Sequence, residues 1–162
     1  MELLAEDSDF IILKTCGPEE TEAIGNLVGT HLGGGDVVSL VGELGAGKTC
    51  FTRGIARGLG IGKNVPIVSP SFTLINEYPG KVPLFHFDFY RLDDSERIFE
   101  LGYQEYFYGN GVAVIEWGEK VVNFLPEEYL TVYFFSPEDE VREINIKATG
   151  KRFIDIIKKL VH

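Results

Sequence analysis

The 162-residue sequence has few cysteines and no long apolar run. Its two cysteines, Cys16 and Cys50, are far apart and form no Cys-x-x-Cys pair, so we expect reduced thiols and no zinc-ligand cluster. No apolar stretch reaches the roughly 20 residues of a membrane-spanning helix. The opening segment, MELLAEDSDF, is acidic where a secretory signal would be basic. We therefore expect a cytoplasmic chain that does not enter a membrane.

Basic residues are also scarce. The chain has 15 Lys and Arg against 25 Asp and Glu, which gives a formal net charge of -10. Nucleic-acid binding draws its affinity from basic side chains that neutralise phosphates, so this balance argues against a chain that grips nucleic acid on its own. The length and the 44% content of hydrophobic residues suit one globular domain, which we expect to span residues 1–162.

Helical and strand patterns alternate along the chain. Helices are predicted in GPEETEAIGNLVGTHL, in the stretch from Phe51 to Leu59, in DDSERIFELGYQEYF and in KRFIDIIKKL, where apolar residues recur at helical spacing. A turn followed by a short apolar strand is predicted in GGGDVVSLVG, and further strands are predicted in SFTLINEY, VPLFHFDFY, GVAVIEW, YLTVYFF and EINIKA. The mixed order predicts an α/β fold, and the short turns between the late strands predict antiparallel pairs added to a mostly parallel core.

The segment GELGAGKT, residues 42–49, joins a predicted strand to a predicted helix. Its spacing, Gly followed by four residues and then Gly-Lys-Thr, is that of a phosphate-binding P-loop. Glycines let the backbone curl so that amide hydrogens face phosphate oxygens, and the helix adds the positive end of its dipole. We expect Lys48 to reach the β and γ phosphates and the Thr49 hydroxyl to bind Mg²⁺. The fold class expected is therefore that of the P-loop NTPases.

Two acidic residues end apolar strands downstream of this loop. Asp88 follows VPLFHF and Glu116 follows GVAVI. Mg²⁺ beside a P-loop normally needs a carboxylate at the end of a neighbouring strand, and both positions qualify. The strand of Glu116 is the more uniformly apolar, which favours Glu116 as the metal-side residue. The division of roles between the two stays open.

A segment that senses the γ-phosphate should lie between the P-loop helix and these strands. VSPSFTLINEY offers the hydroxyls of Ser69, Ser71 and Thr73 around Pro70. The alternative is a plain loop leading into a strand, since Ser and Thr are common in turns. His86 is likewise either a general base or a structural histidine.

Two absences bear on the reaction. The sequence has no Asn-Lys-x-Asp segment, which disfavours a guanine-reading switch. It also has no second basic segment resembling the lid of a small-molecule kinase.

The segments GELGAGKTCFTRGIARGLGI, VSPSFTLINEY, LFHFDFYRL and VIEWGEK, in this order, resemble the bacterial TsaE family, also called YjeE. The resemblance implies a small ATPase that binds ATP and Mg²⁺ and hydrolyses ATP slowly. It also implies partners, the TsaB and TsaD proteins, whose complex places a threonylcarbamoyl group on the adenosine next to the tRNA anticodon. The chain would support turnover of that complex and meet tRNA only through it.

The resemblance further implies roles for individual residues. Asp88, Glu116 and Lys48 would take part in hydrolysis, Thr49 and Glu116 would hold Mg²⁺, and Ser69 to Thr73 would form a switch-like loop. Thr21 and Arg142 would contact the nucleotide. The phosphates would be held by the loop residues Glu43, Leu44, Gly45, Ala46, Gly47, Lys48 and Thr49.

Two other functions remain as alternatives. One is a free-standing kinase that phosphorylates a small metabolite. The other is a nucleotide-gated binding module in which ATP orders the loop around Ser71 and hydrolysis has no role.

Overall fold

The structure is a computed structural model and describes residues 1–161. It contains eight strands, β1 (Glu2–Glu6), β2 (Phe10–Thr15), β3 (Val37–Gly42), β4 (Ile75–Tyr78), β5 (Leu84–Asp88), β6 (Val112–Glu116), β7 (Tyr129–Glu138) and β8 (Val141–Thr149). The α-helices are α1 (Pro18–Gly29), α2 (Lys48–Gly58), α3 (Tyr103–Phe107) and α4 (Lys151–Val161), with 3₁₀ helices at Ser95–Leu101 and Gly118–Phe124.

All eight strands form one sheet in the order β1-β2-β8-β7-β3-β6-β5-β4. The core is parallel, since β3 pairs with both β6 and β7, and β5 pairs with β6. The outer pairs β1–β2, β2–β8, β7–β8 and β4–β5 are antiparallel. The predicted α/β class, with a parallel core and antiparallel late strands, is confirmed.

The two faces of the sheet carry separate apolar layers. Side chains alternate along a strand, so Val38 and Leu40 of β3 pack on the layer beneath α1, α2 and α4, while Val37 packs on the opposite layer. That opposite layer is rich in aromatic residues and is covered by α3 and the 3₁₀ helices. Because both faces of the central strands are covered, β5 and β6 are buried along their whole length.

The helices of the described chain are short. The longest, α1, has 12 residues. Within residues 1–161 no helix is both long and apolar enough to cross a bilayer.

Helices α1 and α2 touch backbone to backbone through glycines four residues apart on each helix. These are Gly25 and Gly29 on α1, and Gly54 and Gly58 on α2. A Cβ added at Gly54 would lie 2.2 Å from the carbonyl oxygen of Glu22, and one at Gly25 would lie 2.3 Å from that of Phe51. Real side chains do not tolerate such distances, so the crossing fixes where α2, and hence the loop before it, can lie.

Replacing Gly54 with alanine is therefore expected to lower the free energy of unfolding by about 1–3 kcal/mol, because α1 and α2 must separate to admit the methyl group. Chemical denaturation followed by circular dichroism measures this. The matched control is Gly33→Ala, where the nearest atom to the new Cβ is the flexible Arg152 Nη2 at 3.8 Å. Equal stability of the two variants would contradict the close crossing.

Three elements differ from the sequence-based expectation. Strands β1 and β2 were not predicted, yet β2 pairs with β8 inside the sheet. The helix expected over residues 93–107 is broken at Gly102, whose φ of 65° is left-handed. The strand expected to start at Ser71 starts at Ile75, because Leu74 has a φ of 70° and donates its amide to the Pro70 carbonyl.

Candidate functional site

The residues predicted to bind phosphate form the turn between β3 and α2. Gly47, directly before the first residue of α2, has a φ of 108°, a conformation that L side chains rarely adopt. The Ala46 amide donates to the Glu43 carbonyl at 3.1 Å and closes the turn. Since α2 starts at Lys48, its positive dipole end faces the cavity in front of the loop.

This cavity has a volume of about 500 Å³, within the range of small-molecule sites. The loop, the strand ends and the segment after α2 all contribute to its walls. Its lining residues are Leu44, Gly45, Gly47, Lys48, Thr49, Cys50, Ser69, Ser71, Asp88, Tyr90, Arg91, Glu116 and Trp117.

Lys48 is almost completely buried at this cavity. Its Nζ donates to the carbonyls of Gly42 at 2.6 Å and Glu43 at 2.8 Å, and lies 4.3 Å from the centre of the Trp117 ring. Burial lowers the pKa of the ammonium, while the nearby carboxylates, Glu116 first, oppose that shift. A phosphate group in the cavity would add to the negative charge that favours this cation.

The two predicted acidic residues lie side by side. β5 and β6 run parallel, and their register pairs Asp88 with Glu116. Because β6 also pairs with β3, with Leu40 opposite Glu116, the carboxylates lie at the same sheet edge as the P-loop. The Thr49 hydroxyl donates to the two Glu116 carboxylate oxygens at 3.1 and 3.0 Å.

His86 of β5 contacts the carboxylate of Glu116. Its side chain is fully buried, and Nε2 lies 2.5 Å from Glu116 Oε2, while Nδ1 has no partner within residues 1–161. This contact was not predicted from the sequence. Its signal was the His-x-Asp spacing in β5, which puts His86 and Asp88 on the same face of the strand.

The residues fit a Mg²⁺ ion that is held partly by a nucleotide. Thr49, Glu116 and Asp88 are oxygen donors at one cavity, which is the ligand chemistry Mg²⁺ prefers. In the described part of the chain, no cluster of three or more His, Cys, Asp or Glu could hold a metal by itself. In the usual Mg²⁺ site, one or two protein ligands are completed by phosphates and water.

The segment expected to act as a switch crosses the front of the cavity. The Ser69 hydroxyl donates to Asp88 Oδ2, and Ser71 lines the cavity. Thr73 is exposed and bonds locally, to the Ile75 carbonyl at 3.4 Å. Phe72 between them is 83% exposed, and the Arg91 guanidinium lies 4.8 Å from its ring. The segment therefore touches Asp88 through Ser69.

Thr21 and Arg142, expected to contact a nucleotide, lie on the other side of the loop. They line a second cavity of about 330 Å³ together with Gly45 and Gly47. Arg142 donates from Nε to the Ala46 carbonyl at 3.1 Å and from Nη2 to the Gly45 carbonyl at 3.3 Å. The buried Thr21 shares a hydrogen bond of 3.0 Å with Thr15. The P-loop thus separates two cavities.

Comparisons with known proteins agree in pointing to one family. The family model described as threonylcarbamoyl adenosine biosynthesis protein TsaE matches residues 15–144. The chain is 44% identical to the tRNA threonylcarbamoyladenosine biosynthesis protein TsaE of Bacillus subtilis, over 91% of each chain. It is 48% identical to the protein of the same name from Treponema pallidum, over 79% of this chain and 93% of that one. A crystal structure of Bacillus subtilis YdiB superposes with a TM-score of 0.82 at 39% identity, covering 97% of both chains.

Proposed function

Since this chain belongs to the TsaE family of threonylcarbamoyl adenosine biosynthesis proteins, we propose that it is a slow, Mg²⁺-dependent ATPase. It supports the turnover of a partner complex that modifies tRNA. The partners are TsaB and TsaD, and the transfer of the threonylcarbamoyl group takes place on them. The proposed site of action is the cytoplasm, as expected from the sequence, because the partners would meet tRNA there.

One observation carries the ATPase proposal. Lys48, Thr49, Glu116 and Asp88 come from three distant parts of the chain and line one cavity at the carboxyl ends of the parallel core strands. This arrangement supplies a cation for phosphates, oxygen ligands for Mg²⁺ and a carboxylate available to orient water. When bound, Mg²⁺ would neutralise charge on the phosphates. The loop backbone and Lys48 would hold and orient them.

The partner role is supported by charge and by the switch-like segment. A net charge of -10 disfavours direct binding of tRNA and suits docking on a protein. Ser69 contacts Asp88, so a movement of the segment that carries the exposed Phe72 would act directly on Asp88. A partner that held this segment could in this way alter hydrolysis.

The test is a reconstitution with TsaB, TsaD, threonine, bicarbonate, ATP and tRNA. With this chain present we expect product beyond one turnover per complex, and without it we expect product to stop near one turnover. ATP hydrolysis by the chain is measured in parallel, with and without the two partners. Equal hydrolysis rates in both conditions would refute the coupling, and equal product with and without the chain would refute the role in modification.

The contact of Ser69 with Asp88 also favours a second function, a nucleotide-gated binding module. In that case ATP would order the segment around Ser71, and hydrolysis would be dispensable. A variant that binds ATP but cannot hydrolyse it separates the two functions. If such a variant supported tRNA modification as well as the original chain, the gated module would be the correct reading.

A further inference from the structure

The P-loop is supported from behind by a strand distant in sequence. Arg142 lies near the start of β8, 96 residues after Ala46. Its guanidinium donates to two consecutive loop carbonyls, those of Gly45 and Ala46, and to the neighbouring Val141 carbonyl at 2.9 Å. A planar guanidinium carries its donors in a fixed fork, so it can hold two carbonyls in one orientation at once.

The orientation of these carbonyls decides where the loop amides point. In a trans peptide the C=O of one residue and the N–H of the next point in opposite directions. A guanidinium that draws the Gly45 and Ala46 carbonyls to the rear therefore turns the Ala46 and Gly47 amides away from β8. The Ala46 amide closes the turn on the Glu43 carbonyl. The Gly47 amide remains for an anion on the phosphate side.

The neighbours of Arg142 make this support rigid. Arg142 pairs with Thr15 across the β2–β8 ladder, and Thr15 shares its hydrogen bond with Thr21 of α1. Thr21 in turn packs beside Gly47, where an added Cβ would lie 3.5 Å from Thr21 Cγ2. The loop is thus supported by β8 and α1, in addition to β3 and α2, which it connects.

We propose that Arg142 is a positioning residue that presets the P-loop for phosphate by holding the carbonyls of Gly45 and Ala46. The inference rests on the proposed function, because it concerns the binding of phosphates at this loop. This role differs from a direct contact with the nucleoside. Because Arg142 holds the loop, it should strengthen the binding of any ligand that carries the phosphates, with or without a base. Its positive charge behind the loop adds to the attraction for the anion.

The experiment compares two probes, ATP and inorganic tripolyphosphate, each with Mg²⁺, by calorimetry. Arg142→Met keeps the aliphatic stem and removes the donors and the charge. We expect it to raise the dissociation constants of both probes by about tenfold and by the same factor, because the loop must then become ordered as the phosphates bind. The rate at saturating ATP should change much less, because the reacting groups are untouched. Arg97→Met, which removes an exposed arginine that pairs with Glu100, is the control and should bind both probes normally.

Two further measurements separate positioning from general damage. Arg142→Lys keeps the charge but reaches only one carbonyl, so it should recover part of the lost affinity. Hydrogen exchange of the loop amides, residues 43–47, should be faster in ligand-free Arg142→Met than in the original chain. Thermal melting shows whether each variant is folded.

The outcomes distinguish a role of Arg142 in holding the loop from a direct contact with the nucleoside. Weaker binding of ATP alone would assign Arg142 to the nucleoside and overturn the inference. Unchanged binding of both probes, or unchanged exchange of the loop amides, would also overturn it. If the original chain bound neither ATP nor tripolyphosphate, the proposed function would fail, and the inference with it.

Discussion

Replacing Lys48 with alanine is expected to raise the dissociation constant for ATP by about 30-fold or more. Lys48 is a buried cation at the start of α2, directly after the loop, where it would form a charge pair with the phosphates. Removing one partner of a desolvated, hydrogen-bonded charge pair costs about 2–5 kcal/mol, and each 1.4 kcal/mol is worth a factor of ten. Calorimetry with Mg²⁺ and ATP measures the constant. Emission from Trp117, the one tryptophan of the chain, provides a second measurement, because Lys48 Nζ lies 4.3 Å from its ring.

The control for this change is Lys120→Ala. Lys120 is also near Trp117, at 5.9 Å from the ring, but its Nζ donates to the Tyr90 carbonyl and does not line the cavity. Its loss removes one positive charge from the same region without touching the loop. Similar affinity losses in the two variants would mean that general charge, and not the placement of Lys48, attracts the nucleotide.

Asp88→Asn is expected to slow ATP hydrolysis by about 100-fold or more while ATP still binds, since positioned general bases contribute about 10² to 10⁴ in rate. The asparagine side chain keeps the shape of the carboxylate. It also keeps an oxygen that can accept the hydrogen bond which the Tyr90 backbone amide donates to Asp88 Oδ1 at 2.9 Å. It loses the negative charge needed to draw a proton from water. Single-turnover hydrolysis and ATP affinity, measured on the same preparation, separate the two effects.

Glu116→Gln is the informative comparison, because Glu116 accepts the Thr49 hydroxyl and Asp88 does not. We expect its main effect on the Mg²⁺ concentration needed for half-maximal binding of the nucleotide. If Asp88→Asn shifted the Mg²⁺ requirement and Glu116→Gln lowered only the rate, the roles given to the two carboxylates would have to be exchanged. This pair of variants therefore resolves the question that the sequence leaves open.

The residues in front of the loop were predictable because their positions follow from local patterns. Lys48 and Thr49 are placed by the spacing of GELGAGKT between a strand and a helix. Asp88 and Glu116 were found because each ends an apolar strand, and parallel strands bring such ends to one edge. A strand that is buried on both faces has a strong apolar signal, so β5 and β6 were identified with nearly the right limits.

The parts that were missed depend on pairings between distant residues. Strand β1, ELLAE, is exposed throughout and rich in helix-forming residues, so only its ladder with β2 makes it a strand. FIILKT in β2 did carry a β-branched signal, which the acidic start of the chain obscured. The His-x-Asp spacing places His86 on the same face of β5 as Asp88, but its contact with Glu116 also depends on the register of β5 against β6, which the spacing does not supply.

The position of Arg142 has a consequence for the chain during its synthesis. Translation delivers the whole sequence GELGAGKT long before it delivers Arg142, which follows Ala46 by 96 residues. A nascent or truncated chain that ends before β8 would carry every residue of the P-loop pattern and still lack the rear support of the loop. The full affinity for phosphate would then arise only when β8 joins the sheet, so a chain that ends before β8 would bind ATP more weakly.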